Sequence, residues 1–330
     1  MNRRSLGFSL SKAITGFLQH KAAEALSPTT LDSYERILNL WLDHVGDVEV
    51  GQITTQDLRA YLAWLRTEYK PHRLSGADHP LSPKTIRNVW VALSSFFAWA
   101  STEFGMPDPI QDVPPPHFEV APVETFTKDE VEAMLKATEY CRESKTRDRR
   151  KFTMRRATGD RDRAIILVLL DTGLRATELC SLKIGSVDMK TGRVNVRHGT
   201  PGGAKGGKGR AVFLGKSARR AVWRYLAKRE DGEDPEAPLF VTKPNRPLNK
   251  AGLRHLTVAL GKKANVKRSY PHRFRHTFAI TYLRSGGDVF TLQSLLGHST
   301  LDMVQHYARI AEVDVAEAHR RASPADNWRL

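Results

Sequence analysis

Pro271-His272-Arg273-Phe274-Arg275-His276-Thr277, followed by Leu296-Gly297-His298-Ser299-Thr300 and then by Tyr307, is the stretch on which the reading of this chain turns. His272 and His276 stand four apart, so a helix would put both on one face, a spacing that alone suggests zinc. Arg273 and Arg275 between them would repel a cation, and no Glu follows His272 to act as base, so an anion is the better guest. Arginine suits a phosphate because its planar fork is always charged and bonds two oxygens together. Phosphoryl transfer needs such donors on the non-bridging oxygens, an acceptor for the nucleophile's proton and a donor for the leaving oxygen. A tyrosine, with a free pKa of about 10, attacks at neutral pH only with help from nearby cations and imidazoles.

Upstream, residues 164–170 read as an apolar helix leading into Asp171-Thr172-Gly173-Leu174-Arg175-Ala176-Thr177-Glu178-Leu179. Arg193-Val194-Asn195-Val196-Arg197 and Arg210-Ala211-Val212-Phe213-Leu214 alternate as short strands around a glycine-rich turn. Residues 202–208 fit G-x-x-x-x-G-K, but Gly209 stands where a P-loop has Ser or Thr, and a strand follows instead of a phosphate-binding helix. The turn is better read as a hairpin tip that presents Lys205 and Lys208 to a groove or a phosphate. Residues 142–163 hold 10 basic and 4 acidic side chains with almost nothing apolar. They read as a solvated loop or helix extension, either a DNA-tracking strip carrying Arg149, Arg150, Lys151, Arg155 and Arg156 or plain surface.

The N-terminal part reads as four helices. The first lies near residues 10–25. Ser27-Pro28 opens the second, with Leu31, Tyr34, Leu38, Trp41 and Val45 at helical spacing before Gly46. Thr54 with Asp57 opens the third, and Ser82-Pro83 the fourth, through Ile86, Val89, Leu93 and Phe97 to Gly105. The Trp and Phe stripe is expected in the core. Six prolines between 107 and 122 mark an extended linker, after which Thr127-Lys128-Asp129-Glu130 caps a new helix. The expected architecture is therefore mainly α with a small antiparallel β-hairpin: an all-helical domain over residues 1–120 and a mixed α+β domain over 121–330.

Charge agrees with a polyanionic partner. The 330 residues carry 52 Lys and Arg against 36 Asp and Glu, a net +16. Residues 1–121 hold 11 basic and 13 acidic side chains, while 122–330 hold 41 and 23, so the second domain should make most phosphate contacts. Two cysteines, Cys141 and Cys180, offer neither a disulfide framework nor metal-ligand spacing and fit a reducing cytoplasm. No apolar stretch approaches the ~18 residues of a membrane span.

These boxes resemble the tyrosine recombinases, or phage integrases: Thr-Gly-Leu-Arg-Ala-Thr-Glu-Leu at 172–179, His-Arg-Phe-Arg-His-Thr-Phe-Ala at 272–279, and Leu-Gly-His-Ser-Thr leading to Tyr307, in that order. The resemblance covers the second domain, and the first is similar in helix content to the family's SAM-like core-binding domain. It implies that Arg175 and Arg275 clamp the phosphate, that His272 and His298 bond or exchange protons there, and that Tyr307 attacks to leave a 3′-phosphotyrosyl bond. Lys205, placed against the family's hairpin lysine in preference to Lys208, would protonate the 5′ oxygen, and Glu178 would orient its neighbours. Phe274 replaces the usual Leu; His276 and Thr277 are read as structural. The resemblance further implies double-stranded DNA with specific recombination sites as partner, a tetramer on paired sites, and no metal, ATP or other cofactor, with DNA integration, movement of a mobile genetic element and chromosome resolution all open as the natural reaction. A type IB topoisomerase-like enzyme and a DNA-binding protein without catalysis compete with this reading, and the complete residue set argues against the latter. The tail with Ile310, Val313, Val315 and Ala318 is expected to pack as a short helix on a neighbouring protomer or on its own domain.

Residues 122–330 alone should bind non-specific DNA with a steep salt dependence and residues 1–121 only feebly. Fluorescence anisotropy from low to moderate salt checks this. Similar slopes for the two fragments would show that the charge asymmetry does not govern binding.

Overall fold

The structure, a computed structural model, describes residues 7–72, 79–119, 122–141, 153–196, 209–242, 246–297 and 302–311, with positions 319, 323 and 325. The chain divides into two compact units, Met1–Ala121 and a second comprising Pro122–Gly199 with Lys205–Leu330.

In the first unit α1 is Leu10–Ala23, α2 Pro28–Val45, α3 Thr55–Thr67 and α4 Pro83–Phe104. Their starts follow from local chemistry. The Ser27 and Ser82 hydroxyls accept from the backbone N–H of Thr30 and Thr85, with proline in the first turn of each helix. At α3, Thr54 and Asp57 bond reciprocally in a capping box. The aromatic stripe is the core: Trp41, Phe96 and Phe97 are fully buried, and Trp41 meets the Phe97 ring edge-on at 5.4 Å.

The proline-rich segment differs from the extended linker expected of it. Ile110 and Val113 are buried in the first unit's core. Prolines remove backbone donors but not carbonyls, and carbonyls of this segment, that of Pro109 among them, accept from helix side chains. Thr55 Oγ1 donates to Pro109 O, Arg59 to Asp112 O and Trp90 Nε1 to Val113 O. The boundary between the units accordingly falls at residue 121, past these contacts.

The second unit contains α5 Lys128–Glu139, α6 Gly159–Thr172, α7 Ala176–Cys180, β1 Arg193–Val196, β2 Arg210–Phe213 and α8 Lys216–Leu226. After these come β3 Val241–Thr242, β4 Arg246–Pro247, α9 Lys250–Lys263, α10 Pro271–Arg284, α11 Val289–Leu296 and α12 Asp302–Ala311. The strands β1 and β2 pair antiparallel from Arg193 with Phe213 to Val196 with Arg210. The pair β3 and β4 has two residues per strand, too few to show a period in the sequence. Helix α6 is the central element, with Ala164, Ile165, Ile166, Val168 and Leu169 buried, and it packs against α5, α8 and α10.

This helix starts five residues before its apolar run, inside the stretch expected to be solvated. Asp162 is fully buried. Its carboxylate accepts from Arg156 at 2.5 Å, Thr158 at 3.0 Å and Arg161 at 2.7 Å, so a charge in an apolar helix is matched on several sides. At the far end Gly173 ends α6 with φ +60, and a Cβ there would lie 2.5 Å from the Phe278 ring, so only glycine makes this turn. A third cluster, Ala279, Ile280, Leu283, Leu292, Leu296, Val304 and Tyr307, joins α10, α11 and α12, with Ile310 packed against it. The tail residues Val313, Val315 and Ala318 lie outside the described residues.

Asp162→Ala should lower unfolding free energy by about 3 kcal/mol or more, because Arg156 and Arg161 lose a buried partner. Urea titration followed by circular dichroism measures it. A loss under about 1 kcal/mol would mean that the cluster adds little to the fold.

Candidate active site

Helix α10 brings the candidate residues to one face. Positions 272, 275 and 276 share it, one turn apart, while 273 and 277 point elsewhere. Arg273, expected beside Arg275 at an anion, reaches Lys267 O at 2.7 Å and Glu130 at 2.8 Å, with its guanidinium 4.0 Å over the Phe126 ring. The Thr277 hydroxyl accepts from Phe126 N and donates to Arg273 O, both at 2.8 Å. Phe274 is fully buried beside Phe126, centroids 4.5 Å apart, so the larger ring is absorbed by the core. These residues fasten α10 to the start of the second unit.

Arg275 is 1% exposed and donates to Gly173 O and to Leu296 O, each at 2.8 Å. Arg175, on the turn before α7, donates to the same Leu296 carbonyl at 3.3 Å and to Gly297 O at 3.4 Å. Two guanidinium groups a hundred residues apart in sequence thus meet at one carbonyl. The acceptors are the C-terminal ends of α6 and α11, where unsatisfied carbonyls carry partial negative charge. Glu178 adds a full one. It accepts from the Arg175 backbone at 2.8 Å and side chain at 2.9 Å, and from Arg210 in a fork of 2.9 and 2.8 Å. Burial pushes the Glu178 carboxyl up, but bonds and charge from Arg210, then bonds from Arg175, outweigh it and hold the group at about 2. Burial, then the neighbouring Arg175 charge, bring Arg275 down to about 10, still protonated at neutral pH.

Tyr307 projects from α12 and is 2% exposed. Burial raises its phenol above the ordinary value, with the Arg275 and then the Arg175 charge acting the other way. Its Oη lies 2.9 Å from His276 Nδ1. The His272 ring meets His276 edge-on, centroids 4.3 Å apart, and is the more exposed of the two. Burial, then Arg275 and Arg175, lower the His272 pKa, which favours its neutral form.

Arg175, Glu178, His272, Arg275 and Tyr307 therefore gather in one region, while Lys205, Lys208, His298, Arg149, Arg150 and Lys151 lie outside the described residues. Arg155 is exposed in a bridge with Tyr140. Arg156, expected on the DNA strip, is bonded to Asp162. Two further residues of the site escaped the sequence. Arg210, besides gripping Glu178, donates to Leu295 O at 2.7 Å, yet in sequence it looks like any strand residue. His276 was read as packing, although its spacing from His272 signalled a shared face. Among the described residues, no group of three or more His, Cys, Asp or Glu side chains could hold a metal ion.

Residues 124–313 match the Phage integrase family, and residues 14–103 its N-terminal SAM-like domain. The chain belongs to the phage integrase family. This recombinase is 30% identical over 326 residues to the tyrosine recombinase XerC of Pelobacter propionicus, covering 96% of each chain. It is 29% identical over 323 residues to the tyrosine recombinase XerA of Pyrococcus furiosus, again 96% of each. The solved Tn1549 transposon integrase, in complex with a circular intermediate DNA, shares the fold at TM-score 0.70 and 20% identity, over 91% of this chain and 94% of that one. As a tyrosine recombinase the chain is an enzyme that recombines DNA site-specifically, breaking and rejoining strands through a phosphotyrosyl intermediate. Among its described residues no helix is long and apolar enough to cross a membrane.

Because Glu178 sits at about 2 in the fold against roughly 4.3 unfolded, its charge adds stability that is complete above the unfolded value and lost as pH falls toward 2. Glu178→Gln should cost the recombinase about 3 kcal/mol at neutral pH and progressively less below about pH 4. Urea midpoints at pH 7, 4 and 3 test the sign. A gap that stays constant with pH would exclude this linkage.

Proposed function

We propose that Tyr307 is the nucleophile and that Arg175 and Arg275 are the phosphate clamp of this recombinase. The observation that carries the reading is the Leu296 carbonyl on which both guanidinium groups converge, with His272 at the same face of α10. Two planar, permanently charged guanidinium forks brought this close together suit the non-bridging oxygens of a scissile phosphate. Tyr307 Oη attacks phosphorus, the bond from phosphorus to the 5′ oxygen breaks, and a 3′-phosphotyrosyl bond holds the energy for rejoining. Neither ATP nor a metal is then required. Lys205 gives the proton to the departing 5′ oxygen, and His272 with His298 bonds the phosphate. Glu178 holds Arg175 by accepting from its backbone and its side chain together.

The substrate is double-stranded DNA carrying specific recombination sites, with four copies assembled on a pair of them, because two duplexes must be cut and exchanged. The exposed Arg155, with Lys208, Arg149, Arg150 and Lys151, tracks the DNA backbone. The first unit is the core-binding domain and the second the catalytic one. The two cysteines are free, as suits an enzyme of the cytoplasm. Moving a mobile genetic element is the natural reaction, a role that the likeness to a transposon integrase fold supports.

Tyr307→Phe should bind a nicked suicide substrate yet form no protein–DNA adduct on denaturing gels. Arg175→Ala and Arg275→Ala should each slow adduct formation ~10²-fold or more. An adduct persisting in Tyr307→Phe would remove the nucleophile assignment, and near-normal cleavage by either arginine variant would place that residue outside the site.

A further inference from the structure

We propose that His276, not His272, accepts the phenolic proton of Tyr307 and is a further catalytic residue of the reaction. The inference rests on Tyr307 being the nucleophile. Three observations carry it. First, His276 Nδ1 is 2.9 Å from Tyr307 Oη, a hydrogen bond between an imidazole and the atom that must lose a proton. Second, the two histidines divide the space between solvent and phenol. His272 is exposed, whereas His276 is half-buried between the His272 ring, centroids 4.3 Å apart, and the Tyr307 ring at 5.6 Å. The imidazole nearer the surface can meet an incoming phosphate, and the inner one already meets the phenol. Third, both groups sit on well-packed helices. Helix α10 is anchored by Arg273, Phe274 and Thr277, and Tyr307 lies in the apolar cluster with Ile280, Leu292 and Val304. The pair is therefore positioned before DNA arrives, and little reorganisation is needed at the moment of attack.

The charges around the phenol make a base necessary. Arg275 and Arg175 favour the phenolate, but burial outweighs them and the phenol stays protonated at neutral pH. In the step, the Tyr307 O–H proton moves to His276 Nδ1 as Oη forms its bond to phosphorus. The electron pair of the breaking phosphorus–oxygen bond leaves on the 5′ oxygen. On rejoining, a 5′-hydroxyl attacks the phosphotyrosine and gives its proton back to the acid that supplied it in cleavage, the bond from phosphorus to Oη breaks, and His276⁺ returns its proton to the phenolate. The α10 face thus splits the work: Arg275 and His272 for the phosphate, His276 for the nucleophile.

The test is single-turnover adduct formation on a nicked suicide substrate, by the full chain, from pH 6 to pH 9.5. His276→Asn keeps a hydrogen-bonding atom near the Nδ1 position but cannot take a proton. Its DNA affinity should stay within twofold of wild type. Its rate near pH 7 should fall ~10²-fold or more, and should keep rising tenfold per pH unit where the wild type levels off. Replacing Tyr307 by a trifluorotyrosine, whose phenol ionises near neutral pH, should restore that variant to within tenfold of wild type. His272→Asn should lose rate without the steeper profile and without rescue. If His276→Asn does not fold, as judged by circular dichroism, His276→Gln replaces it under the same expectations. Should both variants misfold, the fluorinated tyrosine in the otherwise unaltered chain decides, by shifting the pH at which the rate levels off if proton transfer to His276 limits it. Cleavage within threefold of wild type by a folded His276 variant, a steep rescued profile in His272→Asn, or an unshifted plateau would each overturn the proposal. A Tyr307→Phe control separates the two readings: an adduct surviving there defeats the nucleophile assignment itself, whereas its loss beside a normal His276 variant defeats only the base.

Discussion

One carbonyl oxygen, that of Leu296, accepts from both Arg175 and Arg275, at 3.3 and 2.8 Å. The two donating nitrogens can therefore be no more than about 6 Å apart. At an effective dielectric of ~20, two unit charges at that distance repel by roughly 3 kcal/mol. Much of the second unit's architecture offsets this term. The α6 helix ends at Gly173 so that its last carbonyl faces Arg275. The α11 helix ends at Gly297 so that Leu295, Leu296 and Gly297 offer carbonyls to Arg210, Arg275 and Arg175. Glu178 is the single carboxylate among the groups bonded to Arg175 and Arg210, and it serves both. Three guanidinium groups gathered around one described carboxylate make this a region suited to a phosphate group.

The same field acts on the groups that must move protons. Arg275 and Arg175 stand among the causes that depress His272, so its imidazole favours the neutral form until an anion enters. They also lower the phenol of Tyr307 against the burial that raises it. A bound phosphate would cancel part of that positive charge and make both groups more basic. A proton acceptor in direct contact with the phenol then matters more with substrate bound than without it. This electrostatic argument supports the base proposed at position 276 beside the phosphate contact proposed for His272.

Legibility in the sequence followed the range of the interaction. Helix starts at Ser27, Thr54, Ser82 and Thr127 could be read because each is closed within three residues by side chain and backbone. Tyr307, Arg175 and Arg275 stood out through their place in the family's boxes and because phosphate chemistry limits which residue types serve, and the structure brings the three into one region. What could not be read depends on distant partners. Asp162 looked solvated because the groups that bury it form a folded cluster at the start of α6. The proline-rich segment after 106 looked like a linker because the donors to its carbonyls at Pro109, Asp112 and Val113 sit on α3 and α4. Arg273 and Arg275 are two apart and alike in sequence, and only the packing of α10 sends one to Glu130 and the other to Leu296.

Arg210 shows how the strand pair is tied to this centre. It is the first residue of β2, paired with Val196 at the last residue of β1, so it follows directly on the glycine-rich sequence that contains Lys205. Its guanidinium spans Glu178 and Leu295 O, with a side chain only 8% exposed. A forked arginine held by three acceptors has little rotational freedom, so the start of β2 is fixed relative to Arg175 and α11. The role proposed for Lys205, delivery of a proton to one particular oxygen, would gain from a rigid attachment point in β2. Glu178 thus does more than neutralise Arg175: through Arg210 it makes Arg175, the end of α11 and the start of β2 parts of one hydrogen-bonded body.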